Sequence, residues 1–277
     1  METYMNTSSP HGAEVCLSRP SIPSGNIVSA HVIEGDALRV LPKLPPNSFG
    51  GLFTDPPYSS GGRTSGEKAK TPLEKYRMGG TKIERPDFDG DHRDQRSYFA
   101  WSTLWLAECY RLLKPGSVAA VFTDWRQLPV TTDAFQAAGF LWLGIVPWDK
   151  TEGCRPTLGR FAHQCEYVVW GSKGRLPSDR PGIRTLPGLF RHSVKQSDKF
   201  HLTGKPTGLL EDLLRIVPVG ETILDPFAGS ATTGVGAIRR GCSFLGIDQS
   251  SEYVAIGRDR LSTELLASGF PESAAAQ

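Results

Sequence analysis

Ile223-Leu224-Asp225-Pro226-Phe227-Ala228-Gly229-Ser230-Ala231-Thr232-Thr233-Gly234 is the stretch on which the fold turns. Ile223-Leu224 opens a strand that runs into a turn of small residues. A helix to Arg240 follows, and Gly241 stops it. The next strand, Ser243 to Ile247, ends at Asp248. Strand, Gly-containing turn, helix and strand, with an acid about 20 residues beyond the turn, is the layout of a nucleotide-type site. Small residues let the backbone approach a ligand, and the acid can hold ribose hydroxyls. The spacing alone is a weak signal, since any α/β protein has glycine turns.

Working outward, the neighbouring segments repeat the alternation. Pro206 begins a helix whose buried face is Leu209, Leu210, Leu213, Leu214 and Val217, closed by Pro218 and Gly220. Ser97 to Leu113 reads as a helix, with Trp101, Leu104, Trp105, Cys109 and Leu112 at helical spacing and Lys114-Pro115-Gly116 ending it. Val118 to Phe122 reads as a buried strand. A helix through Phe135 to Ala138 and strands at Phe140–Val146 and Gln164–Trp170 follow. Near the start, Ile27-Val28 and Val32-Ile33 suggest a strand that ends at Glu34-Gly35-Asp36-Ala37. Strands alternating with helices predict an α/β fold with a mostly parallel sheet covered on both faces. Asp36, at the strand-to-helix turn, either caps the next helix or accepts from a ligand's amino group, and the residues do not separate the two.

Gly51-Leu52-Phe53-Thr54-Asp55-Pro56-Pro57-Tyr58 carries the chemistry. Two prolines lack N–H and fix φ, so the chain leaves the sheet stiff and extended. Carbonyls without ladder partners, the Asp55 carboxylate and the flat Tyr58 ring then share one strand tip. Acceptors beside a stacking face suit a planar ring with an exocyclic –NH2. A Pro-rich turn with a solvated Asp55 and a packed Tyr58 is the plain alternative.

The composition is that of an ordinary globular chain of 277 residues with net charge +2. No apolar run reaches membrane-spanning length and the start lacks a signal peptide's apolar segment. Cys16, Cys109, Cys154, Cys165 and Cys242 are scattered, odd in number and without Cys-x-x-Cys spacing. That argues for reduced thiols in the cytoplasm and against a zinc site or disulfide framework, and no metal-ligand cluster stands out. Residues 1–26 and 269–277 read as flexible tails. Residues 59–96 lack a period and read as a mobile loop on the substrate side. Lys150 to Lys205 holds eleven Lys/Arg against four Asp/Glu, so the rest of the chain is net acidic. Such asymmetry is a nucleic-acid footprint, with a solvated loop face as the alternative.

Asp55-Pro56-Pro57-Tyr58 resembles the catalytic motif of the DNA amino-methyltransferases, and Asp225-Pro226-Phe227-Ala228-Gly229-Ser230 resembles the S-adenosylmethionine loop of their β-group. His201-Leu202-Thr203-Gly204-Lys205-Pro206 is similar to the segment that precedes that loop, and Gly35-Asp36 to the family's adenine-contacting turn. Catalytic motif first and cofactor loop last is the β-group order. The resemblance spans about Val32 to Asp248, with two departures: Ala231 where a third glycine is common, and Leu202 in place of a proline. It implies a doubly wound, seven-stranded sheet of the class I methyltransferase type, circularly permuted. Residues 27–149 would form the catalytic half, 150–200 an irregular target-recognition segment, and 201–268 the cofactor half. Asp55, Pro56, Pro57 and Tyr58 would act on a flipped base, with adenine N6 favoured because the family uses Asp more for adenine and Ser more for cytosine; cytosine N4 transfer, or a non-enzymatic DNA-binding module, is the alternative. Asp36, Ala37, Asp55, His201, Thr203, Lys205, Asp225, Phe227, Ala228, Gly229, Ser230, Thr232, Thr233 and Asp248 would bind S-adenosylmethionine. Double-stranded DNA and a second copy of the chain are the implied partners, and a cognate restriction endonuclease is left open.

Overall fold

A computed structural model describes residues 27–58, 93–151, 158–180, 182–193 and 204–270. The strands are β1 (Ala30–Glu34), β2 (Phe49–Thr54), β3 (Leu113–Thr123), β4 (Leu141–Asp149), β5 (Cys165–Ser172), β6 (Phe190–Arg191), β7 (Thr222–Asp225) and β8 (Ser243–Asp248). The helices are α1 (Ala37–Val40), α2 (Gln95–Leu112), α3 (Leu128–Ala137), α4 (Thr207–Leu214), α5 (Thr232–Arg239) and α6 (Ser251–Ala267). They build one sheet in the order β1-β8-β7-β2-β3-β5-β4-β6. From β1 to β3 every pairing is parallel, whereas β5 lies antiparallel between β3 and β4. The expected seven strands are all present; the eighth, β6, pairs with β4 over only two residues.

The parallel strands β2, β7 and the second half of β3 are buried on both sides, as their continuous apolar runs require, whereas the edge strand β1 is buried only at Val32. One core layer joins Trp105, Leu106, Cys109 and Leu112 of α2 and Phe135 of α3 to the sheet. The opposite layer joins Leu209, Leu213 and Leu214 of α4, Val235 of α5, and Val254, Leu261 and Leu265 of α6. Parallel register sets the site, because Leu52 pairs with Leu224 and Thr54 with Val121. The C-terminal ends of β7, β2 and β3 therefore open on one edge, with Asp225, Asp55 and Asp124 just at or beyond them. An open α/β sheet binds its ligands along such an edge.

Several local expectations change. Leu104 is 59% exposed instead of core, because Tyr98 and Ser102 take the inward positions of α2. The helix ends just before Lys114-Pro115-Gly116, as read, but these residues already belong to β3, which starts at Leu113, with Gly116 at φ +77 donating to the Lys173 carbonyl. The strand read at Gln164–Trp170 is present as β5, Cys165–Ser172, and lies within the sheet between β3 and β4, so the 150–200 segment is not irregular throughout. Helix α6 was not foreseen, although Ser250 caps it and Tyr253, Val254, Leu261 and Leu265 line its buried face. Trp148 is core, its indole donating to the His192 carbonyl, while Trp142 remains 42% exposed.

Candidate active site

Thr54, Asp55 and the two prolines stand at the tip of β2. Asp55 Oδ2 lies 2.6 Å from Lys205 Nζ, which arrives from the residues before α4. Asp55 Oδ1 is buried and has no hydrogen-bond partner among the described residues. Lys205 Nζ is also 3.3 Å from Glu166 Oε2 on β5 and 3.3 Å from the Tyr58 hydroxyl. The Tyr58 hydroxyl donates to Glu166 Oε2 at 3.1 Å, and Lys150, just past β4, donates to Glu166 Oε1 at 3.1 Å. Two carboxylates and two ammoniums from four separate stretches thus meet around one tyrosine.

Burial sets the charges here. It lifts the Asp55 carboxyl above its ordinary value, with Lys205 pulling it back and Glu166 adding to the rise. Burial would lower Lys205, but two facing carboxylates raise it and keep it an ammonium. Burial would raise Glu166, yet Lys205 and Lys150 together bring it below the ordinary range. A buried charge survives only when paired in this way, so Lys205 is bound to Asp55 and Glu166 by necessity. The plain reading of the β2 tip fails on this point: Asp55 is partly buried and ion-paired to the buried Lys205, not simply solvated.

The loop after β7 forms the adjoining wall. Asp225 Oδ1 accepts from Thr54 Oγ1 at 2.7 Å and from the Phe227 N–H at 3.1 Å. Burial pushes its carboxyl up to about 7, tempered by Thr54, Thr233 and Phe227. Phe227 packs against Trp101 and Trp105 of α2, with ring centroids 5.2 and 5.1 Å away. Gly229, at φ +50, donates to Asp248 Oδ2, and Ser250 N–H donates to Asp248 Oδ1. Burial raises Asp248 too, and these backbone donors oppose it. Ala228 is seated so close to β8 that a Cβ at Gly246 would lie 2.7 Å from its own.

Other residues of the resemblance hold the turns around this pocket. Asp36 caps α1 through Leu38 N–H, and its other oxygen accepts from Gln249, tying the β1 turn to the β8 turn; Ala37 is buried beneath it. Both Ser230 and Thr232 use their hydroxyls to receive Arg260 of α6, and so brace the loop. His201 and Thr203 lie outside the described residues, as do residues 59–92. Lys205, read as a cofactor contact, pairs with Asp55. Thr54, Lys150 and Glu166 escaped sequence reasoning. Glu166 had a signal, a lone acid opening an apolar strand, and Thr54 had none beyond its position.

The basic segment also turns partly inward. Lys173 donates to the carbonyls of Arg111 and Leu113, Arg180 to that of Ile216, and Arg191 pairs with Asp149. Arg160, Arg175 and Arg184 are exposed and form no ion pair among the described residues. No group of three or more His, Cys, Asp or Glu among the described residues could hold a metal ion. Nor is any described helix long and apolar enough to cross a membrane.

An α/β sheet with an Asp-Pro-Pro-Tyr strand tip beside a glycine loop and a strand-end acid has the layout of a nucleotide-type site. The DNA methylase family N6_N4_Mtase matches residues 51–259, and the chain belongs to it: it is a DNA amino-methyltransferase. Among relatives, the type II methyltransferase M2.DpnII of Streptococcus pneumoniae is 28% identical over 269 residues, 90% of this chain and 95% of that protein. M2.LlaDCHI of Lactococcus lactis subsp. cremoris is 28% identical over 268 residues, 89% and 93% of the two chains. The fold recurs in the M1.HpyAVI–SAM complex, with TM-score 0.60, 19% identity, and 84% of this chain and 98% of that one covered. It recurs also in the cytosine-N4-specific PvuII DNA methyltransferase, with TM-score 0.64, 19% identity and coverage of 85% and 87%.

Proposed function

We propose that the chain transfers a methyl group from S-adenosylmethionine to adenine N6 in double-stranded DNA, acting on a base turned out of the duplex. The observation that carries this reading is Asp55 Oδ1, a buried acceptor without a partner among the described residues, on a carboxylate whose other oxygen is pinned by Lys205. A buried acceptor left open costs stability unless a ligand completes it. The base must leave the stack because an amino nitrogen inside a duplex cannot enter such a pocket.

The pocket beside Asp55 fits the donor. Gly229 bares its backbone, Phe227 gives an aromatic wall, and Asp248 offers carboxylate lone pairs at the end of β8, where ribose hydroxyls would bind. Bound there, the donor supplies an electrophilic methyl on a positively charged sulfur. Asp55 Oδ1 and the Pro56 carbonyl accept the two amino hydrogens and draw the nitrogen's lone pair out of conjugation. These bonds strengthen as positive charge grows on nitrogen, so they favour the transition state over the bound base. Asp55 Oδ1 is also placed to carry the proton that nitrogen gives up as its bond to carbon forms. Tyr58, anchored by its hydroxyl to Glu166, offers its ring for stacking. Adenine is preferred over cytosine because Asp, not Ser, leads the motif. Exposed Arg160, Arg175 and Arg184 serve the phosphates, and two copies of the chain act together.

The test uses isotopically labelled S-adenosylmethionine, plasmid DNA, and digestion to nucleosides for mass spectrometry. Label is expected in N6-methyladenine. Asp55→Ala should lower turnover by roughly 10²–10³ with DNA and donor still bound. Label in N4-methylcytosine alone would overturn the adenine assignment.

A further inference from the structure

The Asp55–Lys205 pair does not stand alone, and its second partner has a role that the reading above leaves unused. We propose that Glu166 is a positioning residue for methyl transfer, holding the Lys205 ammonium and the Tyr58 hydroxyl so that Lys205 clamps Asp55 by one oxygen and leaves the other for the acceptor nitrogen. This deepens the functional reading and rests on it.

The geometry argues as follows. Lys205 reaches Asp55 at the end of a long flexible side chain, which by itself would swing toward either carboxylate oxygen or bridge both. Glu166 Oε2 sits 3.3 Å from Nζ and 3.1 Å from the Tyr58 hydroxyl, so one oxygen fixes both groups. Its other oxygen is held by Lys150 at 3.1 Å, which stops the Glu166 carboxylate from turning. Strand β5 pairs with β3 and β4 over most of its length, including Glu166 opposite Trp148, so the anchor is a core strand and not a loop. The result is a chain of contacts, Lys150–Glu166–Lys205–Asp55, that ends on an unpartnered Oδ1.

Charge gives the role a signature that a merely structural one would lack. The groups facing this pair are Asp55 and Tyr58 after β2, Lys150 after β4, Glu166 on β5 and Lys205 before α4. Tyr98 of α2 and Asp225 of β7 feel Asp55 at longer range. Glu166 helps keep Lys205 protonated, and as a like charge it makes Asp55 harder to ionise. Neutralising it therefore lets Lys205 lose its proton at lower pH and lets Asp55 ionise at lower pH. Both limbs of the pH–kcat profile must move in the acid direction.

The experiment is Glu166→Gln, assayed for methyl transfer to DNA across pH, with donor affinity by calorimetry and folding by thermal melting. The expected result is a kcat lower by about 10- to 100-fold, the scale of a small misplacement at the reacting centre, with donor affinity within about twofold and both limbs shifted to lower pH. Wild-type kcat, or a reduced kcat with unmoved limbs, overturns the proposal. Should Glu166→Gln fail to fold, Glu166→Asp keeps the charge one methylene short; a smaller loss of kcat is expected and an unchanged kcat overturns the role. Asp55→Ala, run in parallel, separates the two claims. If Asp55→Ala abolishes turnover while Glu166→Gln is silent, Glu166 alone is refuted; if Asp55→Ala is silent, the reading beneath it falls.

Discussion

Thr54→Val tests whether the two halves of the site are joined through a charged hydrogen bond. Thr54 Oγ1 donates to Asp225 Oδ1 at 2.7 Å, and both residues are almost fully buried, at 1% and 2% exposure. Valine matches threonine in shape, so the change removes the donor with little repacking. Asp225 titrates near 7 when folded and near 3.8 when unfolded. Between those values the folded chain binds the extra proton, so this carboxyl makes stability fall as pH climbs from about 4 to about 7. Above 7 the folded carboxyl is ionised and the Thr54 bond is charge-assisted, worth about 2 kcal/mol. Near pH 5.5 it is protonated and the same bond is worth about 1 kcal/mol. Thr54→Val should thus cost roughly twice as much stability at pH 8 as at pH 5.5, read by denaturant melts at both values. In an Asp225→Asn background the pH dependence of that cost should vanish. A penalty that is equal at both pH values would refute a buried titrating Asp225.

Other outcomes follow from the site and the surface. Asp248→Ala should weaken S-adenosylmethionine binding by about 2–3 kcal/mol in calorimetry, since one carboxylate is assigned the ribose and also holds the Gly229 loop; unchanged affinity would mean the strand-end acid is misread. Replacing Arg175 and Arg184 by alanine should lower the slope of log affinity against log salt by roughly one unit per lost phosphate contact, with donor affinity unchanged. The same test on Arg180 should move stability instead, because its guanidinium caps the Ile216 carbonyl. Light scattering should give a dimer, and Trp142→Glu, in the exposed run Leu141-Trp142-Leu143, should yield monomer.

The residues made the layering and the two motifs legible because both rest on short-range rules. Apolar runs such as Val118–Phe122 have only one way to be buried on two sides, and proline pairs and glycine turns punctuate strands locally. What stayed hidden depends on partners far along the chain. Nothing near Glu166 says that it will meet Lys205, Tyr58 and Lys150, because β5 reaches them only by entering the sheet antiparallel between β3 and β4. The charge excess of the 150–205 segment divides for the same reason: Lys150, Lys173, Arg180, Arg191 and Lys205 find acceptors inside the protein, which composition alone does not show. Helix α6 was missed because its buried face includes Gly257, which breaks the apolar period where a large side chain would be expected.

That glycine also accounts for the departure at Ala231. The loop after β7 needs a left-handed residue before α5, and Ala231 holds φ 57 and ψ 37, where an L side chain costs on the order of 1–2 kcal/mol. Its methyl is wholly buried and belongs to the core layer under α6 rather than to the pocket mouth. A Cβ on Gly257 would stand 3.2 Å from that methyl and 3.4 Å from Val32 Cγ2. Glycine inside α6, itself a cost of about 1 kcal/mol in helix propensity, leaves the room that Ala231 fills. The strain at Ala231 is offset by a buried methyl contact of similar size, about 1 kcal/mol. The chain therefore keeps the turn that a glycine would make, and the extra methyl is taken up by the core layer under α6.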